Sequence, residues 1–225
     1  MGRKTQSAVK PKAPSAGQVV RLLRKEFPGA FTALEHQSPF QLLIATILSA
    51  QCTDERVNRV TPVLFRRYPD PRSLADADRE ELEEIIRSTG FFRMKARSLL
   101  GCSRMIADEH SGIVPRSMEE LVRLPGVGRK TANVLLGQYY GITEGIVVDT
   151  HVHRLAKRLR FTESESATGA EQDLMKLFPK ADWIDLSSLL ILHGRKTCKA
   201  RKPLCSRCVV AKLCPAFQAE TSVSA

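Results

Sequence analysis

No stretch of this 225-residue chain is apolar enough, for long enough, to span a bilayer, and no secretory signal pattern opens it. These absences argue against a membrane-spanning helix, and the expectation is a cytoplasmic protein. Without an export signal, the six cysteines are poor candidates for a disulfide framework. Strand signals are nearly missing as well, since only Gly145 to Val148 looks extended, too short to seed a sheet. No repeat of solenoid period and no obvious linker interrupts the chain. Acidic residues are scarce in particular places: none precedes Glu26, none lies between Thr150 and Thr162, and none lies between Arg195 and Lys212.

The basic residues fill those gaps. Lys and Arg outnumber Asp and Glu by 35 to 24, a formal charge of +11, and the pI is near 9.7. The last acid-free stretch holds Arg195, Lys196, Lys199, Arg201, Lys202, Arg207 and Lys212. Such one-sided clustering suits a polyanionic partner, because basic side chains release counterions from phosphates on contact. Residues 1–16, rich in Lys, Pro and Ala, read as a flexible basic arm. The acids around Asp76 to Glu84 read as the solvated face of a helix.

Hydrophobic spacing predicts an all-α fold. Helices are expected over Gln18–Phe27, from the cap Ser38-Pro39 through Leu48, and over Glu55–Tyr68, where Pro62 implies a kink or a later start. More follow at Arg79–Ser88 with Gly90 as its cap, Arg93–Glu109, Met118–Arg123 behind a Ser117/Glu120 capping box, and Lys130–Tyr140. The remainder fall at Thr150–Arg160, Thr168–Phe178, Asp182–Gly194 and Ser206–Leu213.

The most informative segment is Leu124-Pro-Gly-Val-Gly-Arg-Lys-Thr-Ala132. Gly126 and Gly128 let the backbone turn tightly and approach a ligand, and the amides opening the next helix then face an anion. This is a helix–hairpin–helix grip on a phosphate backbone, which carries no base information. A P-loop is excluded because Arg129 intrudes before Lys130-Thr131, and a dinucleotide fingerprint lacks its third glycine and its strand. Lys130 is a candidate nucleophile: an amine attacks a sugar carbon only when unprotonated, and a partly desolvated helix N-terminus beside Arg129 disfavours a second positive charge. A charged phosphate contact is the plainer role for the same side chain.

Downstream, Ile146-Val-Val delivers Asp149 to the head of a basic helix. Alone it reads as an N-cap; beside a nucleophilic lysine it can also stabilise a cationic sugar and assist deprotonation. His151 and His153 face different ways on a helix and have no third ligand near, so a DNA-contact or hydrogen-bonding role is preferred over a metal. Cys198, Cys205, Cys208 and Cys214 fall in one short loop and imply a metal centre. Zinc and a cubic iron–sulfur cluster both suit four thiolates; a single Cys-x2-Cys pair leans toward the cluster without settling it. Lys199, Arg201 and Lys202 would then sit on a braced loop facing phosphates. Cys52 and Cys102 read as reduced, small core residues.

Together with Ser49-Ala-Gln-Cys-Thr-Asp54, Val148-Asp-Thr-His151 and Leu192-His-Gly-Arg195, these motifs make the chain resemble bacterial endonuclease III from about Gln18 to Pro215. The resemblance implies a helix–hairpin–helix glycosylase fold with a 4Fe–4S cluster. A six-helix barrel would span residues 34–144, and residues 17–33 with 145–225 would form the cluster domain. It implies a nucleoid-associated, monomeric enzyme that removes oxidised or ring-saturated pyrimidines such as thymine glycol from duplex DNA and then cuts the strand. Lys130 corresponds to the Schiff-base lysine and Asp149 to the assisting carboxylate. Gln51 corresponds to the residue that fills the space of the flipped nucleotide, and Phe91 stands where the family commonly has a leucine wedge. Two rivals are an adenine glycosylase, which lacks the hairpin lysine and continues past the cysteines, and a non-enzymatic DNA sensor. As plain alternatives, Gln51 is a polar residue at a helix end and Phe91 a core aromatic.

Overall fold

A computed structural model describes residues 13–29 and 32–223, and its chain divides into two compact units, residues 31–145 and residues 1–30 with 146–225. The expected basic arm lies almost wholly outside the described residues. Among the described residues there are helices and turns but no strand, so the fold is all-α.

In the discontinuous unit, α1 (Ala16–Glu26) buries Val19, Val20 and Leu23 on one face. It packs along a helix far downstream, where Arg24 also pairs with Asp182 and Asp185 at 2.7 and 2.9 Å.

The continuous unit is built around α2 (Pro39–Leu48), which starts with Ser38 accepting from the Gln41 amide and Pro39 in its first turn. Almost every residue from Phe40 to Leu48 is buried, so this helix is surrounded on all sides. Next comes α3 (Asp54–Arg67), capped by Thr53. It runs unbroken past Pro62, and Pro62 is exposed, which leaves the carbonyl it cannot bond on the solvated side. The short α4 (Pro71–Ala75), closed by a reciprocal Asp70–Ser73 capping box, was not expected: five residues are too few to show a period. Then follow α5 (Arg79–Ile86), with Glu80, Glu81 and Glu84 exposed, Glu83 half-buried and Leu82 and Ile86 buried, and a 3-10 turn at Arg87–Thr89. The long α6 (Phe92–Glu109) packs on α2, α4 and α5, and α7 (Met118–Leu121) leads to α8 (Arg129–Gln138), which packs on α2. A fully buried leucine such as Leu99 contributes about 1.5–3 kcal/mol, and this core contains many of them. Cys102 lies in it, its thiol pushed up to about 12 by burial, while Cys52 is half-buried against its edge.

The first unit resumes with α9 (Thr150–Arg158), α10 (Ala167–Leu177) and α11 (Trp183–Lys196), joined around Leu155, Leu174, Leu186 and Leu190. The expected helix Ser206–Leu213 does not form. Two 3-10 turns, Cys205–Arg207 and Ala211–Leu213, stand in its place, followed by an unexpected α12 (Pro215–Val223). The reason is geometric. At roughly 100° per residue, a continuous α-helix would send Cys214 to the face opposite Cys205. Two tight turns let both face one cavity.

Candidate DNA-binding and cluster sites

The hairpin between α7 and α8 is made by local turns, Leu124 N–H to the Leu121 carbonyl at 3.1 Å and Val127 N–H to the Leu124 carbonyl at 3.0 Å. Its two glycines serve different ends. Gly126 has φ of +79°, and a Cβ there would lie 2.7 Å from the Ser98 Cβ, so the fold itself demands glycine. Gly128 has ordinary extended backbone, and a Cβ there would meet nothing within 4 Å. Nothing inside the protein requires its bareness. Gly128 is the N-cap of α8 and offers no side-chain oxygen to the first-turn amides, whereas Ser38, Thr53, Asp78 and Ser166 cap their helices with side chains. Arg129 and Lys130 are the first two residues of α8, and both are exposed. Lys130 is therefore not desolvated by its own chain, contrary to what the sequence suggested for it.

Two further exposed residues stand out in the same unit. Gln51 (φ 53°) ends the turn after α2, and Phe91 (φ 48°) opens α6; both are non-glycine residues in the left-handed region. Such backbone costs of order 1–3 kcal/mol and persists only where surrounding structure imposes it. Phe91 is 59% exposed, which disposes of a core-aromatic role. One turn on, Met94 is 64% exposed and extends the apolar tip.

In the other unit, Asp149 does cap α9: its Oδ1 accepts from the His151 and Val152 amides, both at 2.8 Å. Its Oδ2 has no hydrogen-bond partner among the described residues. One carboxylate thus carries a structural role on one oxygen and leaves the other available. His151 Nδ1 accepts from Arg154 Nη2 at 3.1 Å, and burial, opposed by Asp149 and reinforced by Arg154 and Arg195, pushes its pKa down. His153 Nε2–H donates to the Ser164 carbonyl instead, so the two rings part, as expected.

The same helix holds the cysteine loop. Arg154 donates to the carbonyls of Gly194 (3.0 Å) and Cys198 (2.9 Å). Arg158 donates to the carbonyls of Lys199 (2.8 Å) and Ala200 (3.1 Å) and to the Cys198 sulfur at 3.1 Å. From α11, the buried His193 bridges Glu26 Oε2 (3.0 Å) and the Cys208 sulfur (3.4 Å). Gly194 lets α9 come this close, since a Cβ there would lie 2.9 Å from His151 Cβ. The four cysteines line a cavity of about 520 Å³, open solvent included, with Leu155, Leu159 and Val210 among its apolar walls. Burial pushes the Cys208 thiol up to about 11, and the neighbouring cysteines push the same way. Among the described residues, no three donor side chains converge tightly enough for a single ion. A cluster differs from an ion here, because each thiolate binds a different iron and the sulfurs stay apart. Apolar walls, four thiols, and the polar side chains of Arg158 and His193 against two of the sulfurs fit such a group. Lys199, Arg201 and Lys202 are exposed on the loop between the first two cysteines.

Sequence reasoning missed Arg154, Arg158, His193 and the buried Lys95. The first three look like ordinary helix residues until their distant partners are placed. Lys95 did leave a trace, since it shares the stripe of Leu99, Cys102 and Ile106 on α6.

Residues 44–180 match the model of the HhH-GPD superfamily base excision DNA repair protein, and residues 198–214 match the iron–sulfur binding domain of endonuclease III, which makes a 4Fe–4S cluster the cofactor of the loop. Endonuclease III of Synechocystis sp. is 55% identical over 92% of this chain and 95% of its own length. Endonuclease III of Escherichia coli K12 is 39% identical over 88% of this chain and 93% of its own. A solved trapped endonuclease III–DNA covalent intermediate, an estranged-adenine complex, is 43% identical, with a TM-score of 0.85 over 91% of this chain and 98% of that one. A thermostable thymine-DNA glycosylase, 22% identical with a TM-score of 0.77 over 90% and 94% of the two chains, shares the fold. With the superfamily match and the iron–sulfur domain match in one chain, the protein belongs to the HhH-GPD superfamily of base excision DNA repair proteins and, within it, to the endonuclease III family.

Proposed function

We propose that this protein is a bifunctional glycosylase and abasic-site lyase that removes oxidised or ring-saturated pyrimidines, thymine glycol among them, with Lys130 as nucleophile and Asp149 as its assistant. The hairpin carries this reading: an exposed lysine in the first turn of a helix whose N-cap, Gly128, is bare toward the outside only. A phosphate seated on those first-turn amides, beside Gly126 and Arg129, brings a sugar to Lys130. DNA then supplies the desolvation that the free chain does not. The relative trapped as a covalent intermediate with DNA supports a reaction that passes through a protein–DNA bond.

The chemistry balances without an outside reagent. Gln51 and Phe91 enter the stack as the damaged nucleotide swings out, a step that costs a few kcal/mol and less for a poorly stacked lesion. The Lys130 lone pair bonds to C1′ as the glycosidic bond breaks, and the base leaves with that bond's electrons and takes a proton from water. The free Oδ2 of Asp149 stabilises the cationic sugar and takes the proton that the amine gives up. Ring opening yields a protonated imine. Loss of a C2′ proton then drives out the 3′ phosphate, and water releases the lysine. Cys198, Cys205, Cys208 and Cys214 would hold the cluster, which braces the loop. Lys199, Arg201 and Lys202 on that loop, and His151 at the head of α9, contact the strand.

On this reading residues 34–144 form the barrel lobe and residues 17–33 with 145–225 the cluster lobe, in a monomer working on chromosomal DNA. Among the described residues, no helix is long and apolar enough to cross a membrane. Borohydride added to the protein on a duplex with one abasic site gives a covalent adduct, and Lys130→Ala removes it while binding persists. An adduct that survives Lys130→Ala would sink the assignment of the nucleophile.

A further inference from the structure

Lys95 sits in the apolar stripe of α6, 4% exposed, where a leucine would ordinarily stand. Its ammonium donates to two backbone carbonyls, Leu48 and Thr89, each at 2.8 Å. Leu48 is the last residue of α2, and Thr89 is the last residue of the 3-10 turn after α5. Both are carbonyls left over where a helix ends, the groups that a buried cation satisfies best. Burial lowers the Lys95 pKa, with Cys52 acting in the other direction.

The positions of those carbonyls matter more than their number. Three residues after Leu48 comes Gln51, and two after Thr89 comes Phe91, both of them exposed non-glycine residues held in left-handed backbone. Neither Gln51 nor Phe91 has side-chain burial to hold it there. Gly90 at φ 71° and the 3-10 turn shape one approach, and the turn bond from Cys52 N–H to the Ser49 carbonyl at 3.1 Å shapes the other. Lys95 is what joins them. Its compact point charge gathers two carbonyls at one centre, and the two strained turns become a single rigid fork.

We propose that Lys95 is a positioning residue for strand opening, fixing the spacing between the Gln51 and Phe91 tips so that both enter the DNA stack together. The inference rests on the wedge role given to those two residues above. A misplacement of about 1 Å at such a site costs on the order of a hundredfold, so the bridge is a control point for extrusion rather than for sugar chemistry.

The test uses the cluster-loaded full chain, a duplex with one thymine glycol, and 2-aminopurine opposite the lesion to report unstacking. Lys95→Met, which keeps the bulk and loses the donors, is expected to slow single-turnover excision by roughly ten- to a hundredfold and to remove the unstacking signal. Lys95→Gln, with one donor kept, should fall between. In a Gln51→Ala/Phe91→Ala background, Lys95→Met should add less than about twofold, because residues acting as one unit are not additive. Full additivity there, or an unchanged rate in Lys95→Met alone, overturns the proposal. So does failure of both Lys95 variants to give a cooperative melting curve, which would make the residue a stability element. If Gln51→Ala/Phe91→Ala itself keeps the wild-type rate and signal, the wedge reading is what has failed.

Discussion

The hairpin at Leu124–Lys130 and the loop at Cys198–Cys214 present cations to what, on the proposed reading, is the same kind of partner, and they are built in opposite ways. The hairpin is local. Its turns close between residues three apart, and its one demanding position, Gly126, is met by a residue type. The cysteine loop has 3-10 turns of its own but is anchored from outside: Arg154 and Arg158 on α9 hold its carbonyls, and His193 on α11 reaches a sulfur. A local device fails by distortion of its backbone. A borrowed one fails when a lender is removed.

The greatest effect is therefore expected from Cys208→Ala. Removing one thiolate from a site that also braces the basic loop should abolish the cluster's visible absorbance and unfold the loop. If Lys199, Arg201 and Lys202 each touch a phosphate, the log–log salt dependence of DNA binding falls by about 2.7 in slope, three contacts at roughly 0.9 each. Titration of the variant against duplex DNA at several salt concentrations reads this directly. An unchanged slope would mean that the loop's charges merely face solvent.

The hairpin glycines should divide cleanly. Gly126→Ala puts a Cβ 2.7 Å from Ser98 Cβ in left-handed backbone, and a loss of about 2–4 kcal/mol in denaturant unfolding is expected. Gly128→Ala meets no atom within 4 Å, so its stability cost should stay under about 1 kcal/mol, the size of an N-cap change. DNA affinity should nonetheless drop about tenfold, or 1.4 kcal/mol. A destabilised Gly128→Ala with normal binding would reverse the roles given to the two residues.

This contrast also explains what could be read from the amino acids alone. The hairpin was legible because its signal lies within nine consecutive residues. Ten helices were legible because they are amphipathic or capped, and Ser38, Asp149 and Ser117 do cap as expected. The cysteine loop was legible as chemistry but not as shape: Ser206–Leu213 has helical composition, yet the convergence of Cys205, Cys208 and Cys214 overrides it. Short α4 escaped because five residues cannot show a period. Lys95, Arg154, Arg158 and His193 escaped for a common reason. Each has at least one partner 40 or more residues away, Glu26 in the case of His193. Spacing along a chain says nothing of carbonyls that arrive from another helix.

The smallest expected effect sharpens the comparison at α9, which carries Asp149 at its head and the loop's arginine clamps behind it. His151 accepts from Arg154 with Nδ1, and its pKa lies below the ordinary histidine value. A depressed base binds fewer protons folded than unfolded, so its contribution to stability is complete above the unfolded value near 6.5 and is lost as pH falls below it. Protonation would place two cations, His151 and Arg154, at 3.1 Å and weaken a residue that also clamps the Cys198 carbonyl. The melting temperature of the cluster-loaded protein should therefore fall between pH 7 and pH 5. His151→Gln, which can still accept from Arg154 and cannot titrate, should flatten that slope by a measurable fraction. Equal slopes in the two proteins would mean that the Arg154 clamp does not feel the ring, and that α9 holds the cysteine loop independently of the histidine at its head.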